Sequence, residues 1–140
     1  MIQRIQTLYL LAVVVLGTLL CFFAPVGYVY EDLTTGMLQT FSQWPLAVIT
    51  VAIPLLAFVD IFLYKKRILQ ARLNIINVVL CLGWYAVCFC YVWFDKQNLG
   101  IDWYVTVWAA IPFVCLVLIM MAMRRILRDE ALVRAADRIR

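Results

Sequence analysis

The sequence predicts an all-α integral membrane protein, a four-helix transmembrane bundle with a short external β-hairpin between spans one and two and a cytoplasmic helical extension at the C-terminus. Of the 140 residues, 67% are hydrophobic and 14% are charged, against about 25% charged residues in soluble domains. The mean hydropathy is +0.99. One water-soluble core of this size could not bury so many apolar side chains. The apolar residues also fall into four long blocks. The bilayer is therefore the expected solvent for most of the chain.

Each apolar block is long enough to cross a bilayer. About 20 helical residues, rising about 1.5 Å each, span the roughly 30 Å of hydrocarbon. Helices are expected because backbone groups in hydrocarbon must pair within their own segment, and the alternation of a β-barrel is missing. The chain is expected to form one membrane domain, 1–140, with spans 7–24, 45–64, 73–94 and 103–123 and a tail 124–140.

The first span resembles a secretion signal, because Arg4 precedes its apolar core. A small-x-small cleavage site is missing, and Pro25 directly follows Ala24. We therefore expect an uncleaved signal anchor. Pro54 and Pro112 fall inside predicted spans, where the proline ring and the missing N–H predict a kink.

Two segments are predicted to lie outside the membrane. The first contains the turn signal "DLTTG", flanked by Tyr28, Tyr30, Met37 and Phe41, which favours a short β-hairpin. The alternative is an irregular loop with interfacial aromatic residues. The second, "DKQNLGID", is short, so spans three and four are expected to be antiparallel neighbours.

The cations are distributed very unequally between the two sides of the predicted bundle. Only Lys96 falls in an external segment, together with the acidic Glu31, Asp32, Asp95 and Asp102. By the positive-inside rule both termini are predicted to be cytoplasmic, in a bacterial inner membrane. The other cations are candidate contacts for a partner or for anionic lipid: Arg4, Lys65, Lys66, Arg67, Arg72, Arg124, Arg125, Arg128, Arg134, Arg138 and Arg140.

The tail "RRILRDEALVRAADRIR" holds six arginines in seventeen residues. If the fourth helix continues into it, Glu130 and Arg134 form an i, i+4 pair. A narrow apolar strip then contains Leu132, Ala135, Ala136 and Ile139. Such a helix either lies along the inner headgroups, docks onto a protein, or projects straight into the cytoplasm.

Three polar residues form a candidate intramembrane cluster. Asp60 is the one carboxylate inside a predicted span, close to its cytoplasmic end, and Asn74 and Asn77 share a helix face at the start of span three. Asp60 either snorkels or pairs with Lys65, Arg67 or Arg72, or it belongs to a proton or cation site. The two amides are expected to act as interhelical hydrogen-bonding groups.

The chain has few residues of the types that catalyse reactions or bind metals and cofactors. The chain has no histidine, so haem, zinc and Ser-His type sites are not expected, and we predict no cofactor, no metal and no enzymatic activity. No nucleic-acid partner is expected either. The cysteines all lie inside predicted spans and are interpreted as small apolar core residues: Cys21, Cys81, Cys88, Cys90 and Cys115.

Three separated motifs, "MIQRIQTLYLL", "IFLYKKRILQARLNIIN" and "RRILRDEALVRAADRIR", resemble a bacterial domain-of-unknown-function family of small four-span membrane proteins. The resemblance runs the full length of the chain. It implies a four-helix inner-membrane protein with both ends cytoplasmic, and no established activity. The matching polar residues, Gln3, Arg4, Gln6 and those in 65–72 and 124–140, lie on the predicted cytoplasmic side, where a shared role is expected.

Two classes of function follow. The first is a non-catalytic scaffold or accessory subunit of a larger envelope membrane complex, which docks through its basic cytoplasmic face and contacts the bilayer, anionic phospholipids and other membrane subunits. The second is a small oligomeric transporter or channel that uses Asp60 with Asn74 and Asn77. Four spans barely surround a cavity, so transport would require several copies.

Overall fold

Four long helices and three short strands make up the described part of the chain. The computed structural model describes residues 2–23, 26–29, 35–38, 43–64, 66–99 and 102–138. The helices are α1 (Ile2–Phe22), α2 (Trp44–Phe62), α3 (Arg67–Leu99) and α4 (Ile111–Arg138). The strands are β1 (Val26–Val29), β2 (Thr35–Leu38) and β3 (Asp102–Val105), and a 3₁₀ helix, Val107–Ala110, directly precedes α4.

The helices pack as a closed ring, as the predicted four-helix bundle requires. α1 packs against α2 and α4, and α3 packs against the same two helices. Sequence neighbours are therefore spatial neighbours, the arrangement that short connections impose on antiparallel helices. The predicted fold class is confirmed.

All four helices are long and apolar enough to cross a membrane. Between 22% and 33% of the residues in each apolar window are buried inside the bundle, so most apolar side chains point outward. Large exposed apolar residues such as Val48, Leu55, Phe89 and Phe113 cover the outer faces. A surface of this kind is suited to lipid, because water would disfavour so large an apolar area.

The contact between α1 and α2 depends on a glycine. A Cβ placed on Gly17 would lie 3.0 Å from both Cβ and Cδ of Pro54. Small residues at such contacts let membrane helices approach closely, which van der Waals packing in lipid requires. Gly17 therefore sets the distance between these two helices at mid-span.

The centre of the bundle is filled by apolar side chains around one tryptophan. Trp84 is 1% exposed, and its indole Nε1–H donates to Thr50 Oγ1 at 2.9 Å. The Thr50 hydroxyl in turn donates to the Leu46 carbonyl at 2.7 Å. Both polar groups are thereby satisfied inside a core whose other members include Val13, Ile53 and Ile119.

A three-stranded antiparallel sheet lies at the end of the bundle where α1 and α3 end. The strand order is β2-β1-β3, so β1 is central. β1 and β2 pair from Val26 with Leu38 to Val29 with Thr35, which is the pairing that the predicted hairpin requires. Gly27 opposes Tyr104 on β3, and the Tyr104 ring packs directly over it. The ring covers the position where a side chain is missing.

The predicted start of the fourth span is wrong. Residues from Trp103 to Val105 belong to β3, and α4 begins at Ile111. The aromatic and β-branched residues here favour a strand, and the second edge of β1 supplies its hydrogen-bonding partner. The predicted second loop is also shorter than expected, because α3 continues to Leu99.

The kink predicted at Pro112 is also wrong, because Pro112 lies at the start of a helix and not in its interior. Pro112 is the second residue of α4, where the missing N–H has no helical partner to lose. The hydroxyl of Tyr85 on α3 donates to the Ala109 carbonyl at 2.7 Å and accepts from the Phe113 N–H at 3.0 Å. This hydroxyl bridges two backbone groups that an uninterrupted α-helix would join directly.

Candidate functional site

Three helices are tied together at the end of the bundle opposite the sheet. Gln6 Nε2 on α1 donates to Asp129 Oδ2 on α4 at 2.6 Å. Arg67 Nη1 on α3 donates to the backbone carbonyl of Asp129 at 3.3 Å. The three motif segments recognised in the sequence therefore meet here. We call this the basic end of the bundle.

The basic end contains a groove between the start of α3 and the extension of α4. Its volume is about 660 Å³, and cations stand beside apolar side chains along it. Lys66 and Arg72 are exposed, while Arg67 is half-buried by its bond to Asp129. We call this the basic groove, and it is lined by Lys66, Arg67, Ile68, Leu69, Arg72, Glu130 and Val133.

The tail continues α4 without interruption. α4 runs from Ile111 to Arg138, so the extension predicted from the sequence is helical. Glu130 Oε1 accepts from Arg134 Nε at 3.2 Å and from Arg134 Nη2 at 3.0 Å, which confirms the predicted i, i+4 pair. Residues 131–136 are exposed, including Leu132 and the predicted strip alanines.

The structure describes the side chains of only some of the remaining cation candidates. Arg124, Arg125 and Arg128 are exposed on α4 and do not line the basic groove. The others lie outside the residues, or the side chains, that the structure describes: Arg4, Lys65, Arg138, Arg140 and the strip residue Ile139.

Asp60 is buried near the end of α2. It is 1% exposed, and its carboxylate is contacted by the side-chain amide of Asn74 on α3. Of the predicted pairing partners, Arg67 bonds Asp129 instead and the Arg72 side chain is exposed. Within the described ranges no ion pair reaches Asp60. The expected pairing with Arg67 or Arg72 is therefore wrong.

Asn74 and Asn77 lie with Asp60 in the contact between α2 and α3, and each is 1% exposed. Asn74 Nδ2 donates to the Gln70 carbonyl at 3.1 Å, and its amide lies beside the Asp60 carboxylate. Asn77 Nδ2 donates to the Ile53 carbonyl on α2 at 3.2 Å. The Asn77 contact is the interhelical hydrogen bond that the sequence predicts. Asn74 bonds its own helix and also contacts the Asp60 carboxylate on α2.

Two further polar residues of this region, Gln70 and Gln6, make contacts between helices that the sequence did not predict. Gln70 is 4% exposed and donates from Nε2 to the Asp60 backbone carbonyl at 3.2 Å. Gln6, 7% exposed, supplies the contact to Asp129. The spacing of Gln70, Asn74 and Asn77, four and then three residues apart, predicts that they share one face of α3. No spacing in the sequence predicts which residues of other helices they contact.

The cysteines are free thiols with two kinds of surroundings. Cys81, Cys88 and Cys115 are buried in the core, as predicted. Cys21 is half-buried and donates to the Gly17 carbonyl at 3.4 Å, whereas Cys90 is exposed on the outer face of α3. In the described ranges no three His, Cys, Asp or Glu side chains form a candidate metal-ligand group.

Four apolar helices with outward-facing apolar surfaces define a multi-pass membrane protein. The chain matches a family model described as a domain of unknown function, DUF4293, over residues 2–139. It therefore belongs to this family, and the resemblance seen in its three motifs is confirmed. Comparisons with curated proteins and with solved structures each returned no match.

Proposed function

We propose that this protein is a non-catalytic component of the bacterial inner membrane, a scaffold or accessory subunit that docks a larger membrane protein. The basic groove carries the proposal. It combines exposed cations, Lys66 and Arg72, with the apolar side chains of Ile68, Leu69 and Val133. Interfaces use such a combination of apolar contact area and complementary charge.

The chemistry of the groove indicates its occupant. Glu130 is the one acidic residue of the lining, and Arg134 neutralises it at 3.0 Å. The net field of the groove is therefore positive. An acidic, amphipathic segment of a neighbouring membrane protein fits both the charge and the apolar side chains.

The rigidity of the surroundings also supports docking. The bonds from Gln6 and Arg67 to Asp129 fix α4 just before Glu130 and Val133 enter the groove. A preorganised surface loses less conformational freedom when a partner binds. In the proposed orientation both termini and the basic groove face the cytoplasm, in agreement with the positive-inside distribution.

Purification at native abundance in mild detergent tests the proposal. A stoichiometric larger membrane protein is expected to co-purify with the wild-type chain. Changing Lys66 and Arg72 together to Gln should reduce the recovered partner. Arginine is enriched among the interface residues whose loss costs more than about 1 kcal/mol, a factor of about five in affinity. Arg67 is left unchanged, since its bond to Asp129 is structural.

Lys96→Gln is the matched control for this experiment. Lys96 is exposed in the last turn of α3, at the sheet end of the bundle, so the change removes positive charge away from the groove. Partner recovery should stay at the wild-type level. Equal recovery with the groove variant and the control, or the absence of any stoichiometric partner, would contradict docking through the groove.

A transporter or channel has less support. The middle of the bundle is filled by apolar side chains and Trp84, so the described residues leave no polar path along the axis of one copy. A conducting path would have to run between copies, whose facing surfaces would be the apolar outer faces of the helices. Such surfaces lack the polar lining that ion pathways use.

A further inference from the structure

One exposed stripe along α4 changes from apolar to basic residues near the end of its apolar part. Val114, Val117 and Met121 are exposed along this stripe. Arg124 and Arg128 continue it at intervals of three and four residues and are exposed as well. Such spacing places the side chains on one side of a helix. The opposite side of α4 packs inside the bundle through four buried residues: Cys115, Ile119, Ala122 and Ile126.

The basic part of the stripe begins where the hydrocarbon of a bilayer would end. The chain from Val107 to Met123 contains no charged residue. This segment is a 3₁₀ helix followed by α-helix, and it rises about 28 Å, close to the roughly 30 Å of hydrocarbon. The three arginines that follow therefore lie at the level of the phospholipid headgroups. We call them the arginine cluster: Arg124, Arg125 and Arg128.

The positive charge of the arginine cluster is not balanced by the acidic residues nearby. In the part of the chain that the structure describes, neither ion pair includes a member of the cluster. Asp129 accepts a hydrogen bond from Gln6 at 2.6 Å, and Glu130 pairs with Arg134. The first and last arginines of the cluster are four residues apart, and like charges at this spacing destabilise a helix. A bound anion would remove this repulsion.

The chemistry of the stripe indicates which anion it fits. Guanidinium groups donate in a planar fork that matches the oxygens of a phosphate group. The exposed side chains of Val117 and Met121 adjoin the arginine cluster on the side of the hydrocarbon. A ligand that carries both a phosphate and acyl chains can therefore contact the whole stripe. A zwitterionic lipid would also bring its own cation close to the arginines, which disfavours it.

We propose that the arginine cluster and the apolar stripe beside it form a binding surface for an anionic phospholipid such as phosphatidylglycerol. The arginines bind the phosphate, and the acyl chains lie along Val114, Val117 and Met121. Basic residues close to a membrane surface attract anionic lipids in this way. The surface is separate from the basic groove, which no member of the cluster lines, and it does not depend on a docking function.

Native mass spectrometry of the purified full chain in mild detergent tests the proposal. Phosphatidylglycerol and phosphatidylcholine are added at equal concentrations, and the ratio of the two bound lipids is measured. We expect the wild-type chain to prefer phosphatidylglycerol. Arg128→Gln should lower this preference by about fivefold, the contribution of one basic residue near a membrane surface. Equal binding of the two lipids to the wild-type chain would overturn the proposal.

Arg134→Gln is the matched control. Arg134 is also an exposed arginine of α4, but its charge is balanced by Glu130 at 3.0 Å. Six residues separate it from Arg128, a spacing that places it on a different side of the helix. The control should keep the wild-type preference. An equal loss in the two variants would mean that the lipids respond to total charge and not to the arginine cluster, which would overturn the proposal.

Two further measurements keep the result decisive. Arg124→Gln removes another member of the same cluster and replaces Arg128→Gln if that variant fails to fold; an unchanged preference in it would also contradict the proposal. Inorganic phosphate is added as a competitor, with NaCl at the same ionic strength as its reference. It should not displace phosphatidylglycerol, because it makes no contact with the apolar stripe. Displacement would show a site for phosphate alone and overturn the assignment to a lipid.

Discussion

Gly17 and Gly83 are both single glycines inside membrane helices, and their surroundings differ completely. A Cβ on Gly17 would meet the Pro54 ring at 3.0 Å, whereas a Cβ on Gly83 would meet nothing within 4 Å. Changing each glycine to alanine therefore separates two effects on the stability of the bundle. One is the general preference of helices for alanine, and the other is the cost of forcing two helices apart.

We expect Gly17→Ala to destabilise the bundle and Gly83→Ala to leave it unchanged or slightly more stable. Alanine favours a helix over glycine by up to about 1 kcal/mol, and overpacking a tight contact costs about 1–3 kcal/mol. Thermal unfolding in one detergent compares the two variants. If Gly17→Ala melts at or above the temperature of Gly83→Ala, Gly17 does not set the α1–α2 distance.

Single polar atoms also decide where the chain departs from expectation. Pairing with Arg67 was one of the roles that the sequence left open for Asp60, but Arg67 instead bonds the Asp129 carbonyl. Asp129 lies 62 residues further along the chain. A sequence shows which charges are close along the chain, and only the packing of α3 against α4 shows that a distant carbonyl takes the donor.

At the scale of elements, α4 begins in two steps. The 3₁₀ helix Val107–Ala110 leads into the α-helix, and the Tyr85 hydroxyl joins the Ala109 carbonyl to the Phe113 N–H at the junction. Phe23 stacks on Trp108 with ring centroids 3.9 Å apart, so the end of α1 also supports this junction. The start of α4 is thus held by a side chain of α3 and by the residue that directly follows α1.

We expect Tyr85→Phe to loosen the start of α4, because the Phe113 amide loses its acceptor. Amide hydrogen exchange near Phe113 should become faster, while exchange in the middle of α4 should remain unchanged. Tyr91→Phe removes the same hydroxyl from the same helix, away from the junction, and serves as the control. Equal exchange near Phe113 in the wild type and in Tyr85→Phe would show that the hydroxyl does not hold the junction.

At the scale of the whole molecule, the two ends of the bundle differ in kind. One end carries the bonds from Gln6 and Arg67 to Asp129 and the basic groove. The other carries the sheet, with Lys96 4.0 Å from Asp102. From this charge asymmetry the positive-inside rule predicts that the basic end faces the cytoplasm.

Cysteine labelling in intact cells checks this orientation. In a background with the native cysteines replaced, Lys96→Cys is expected to react with a membrane-impermeant thiol reagent added from outside. Arg134→Cys should react only after the inner membrane is opened. Both positions are exposed, so accessibility of the side chain itself is matched. Labelling of Arg134→Cys from outside would reverse the proposed topology.

The sequence alone determined the class of this protein and the order of its helices. Uninterrupted apolar blocks require helices in hydrocarbon, and their lengths and the short connections lead to an antiparallel bundle. The i, i+4 pair of Glu130 and Arg134 was predictable for the same reason, because local spacing alone fixes it. Features that depend only on helical periodicity or on segment length can be predicted from the sequence.

The tertiary structure alone decided which distant groups meet. β3 replaced the predicted start of the fourth span because the central strand β1 offers a second edge. Asp129 joined Gln6 and Arg67, and Asn77 joined the Ile53 carbonyl across the contact between α2 and α3. These contacts depend on the rotation of each helix about its axis. That rotation follows from packing around Gly17 and Trp84, which no local pattern encodes.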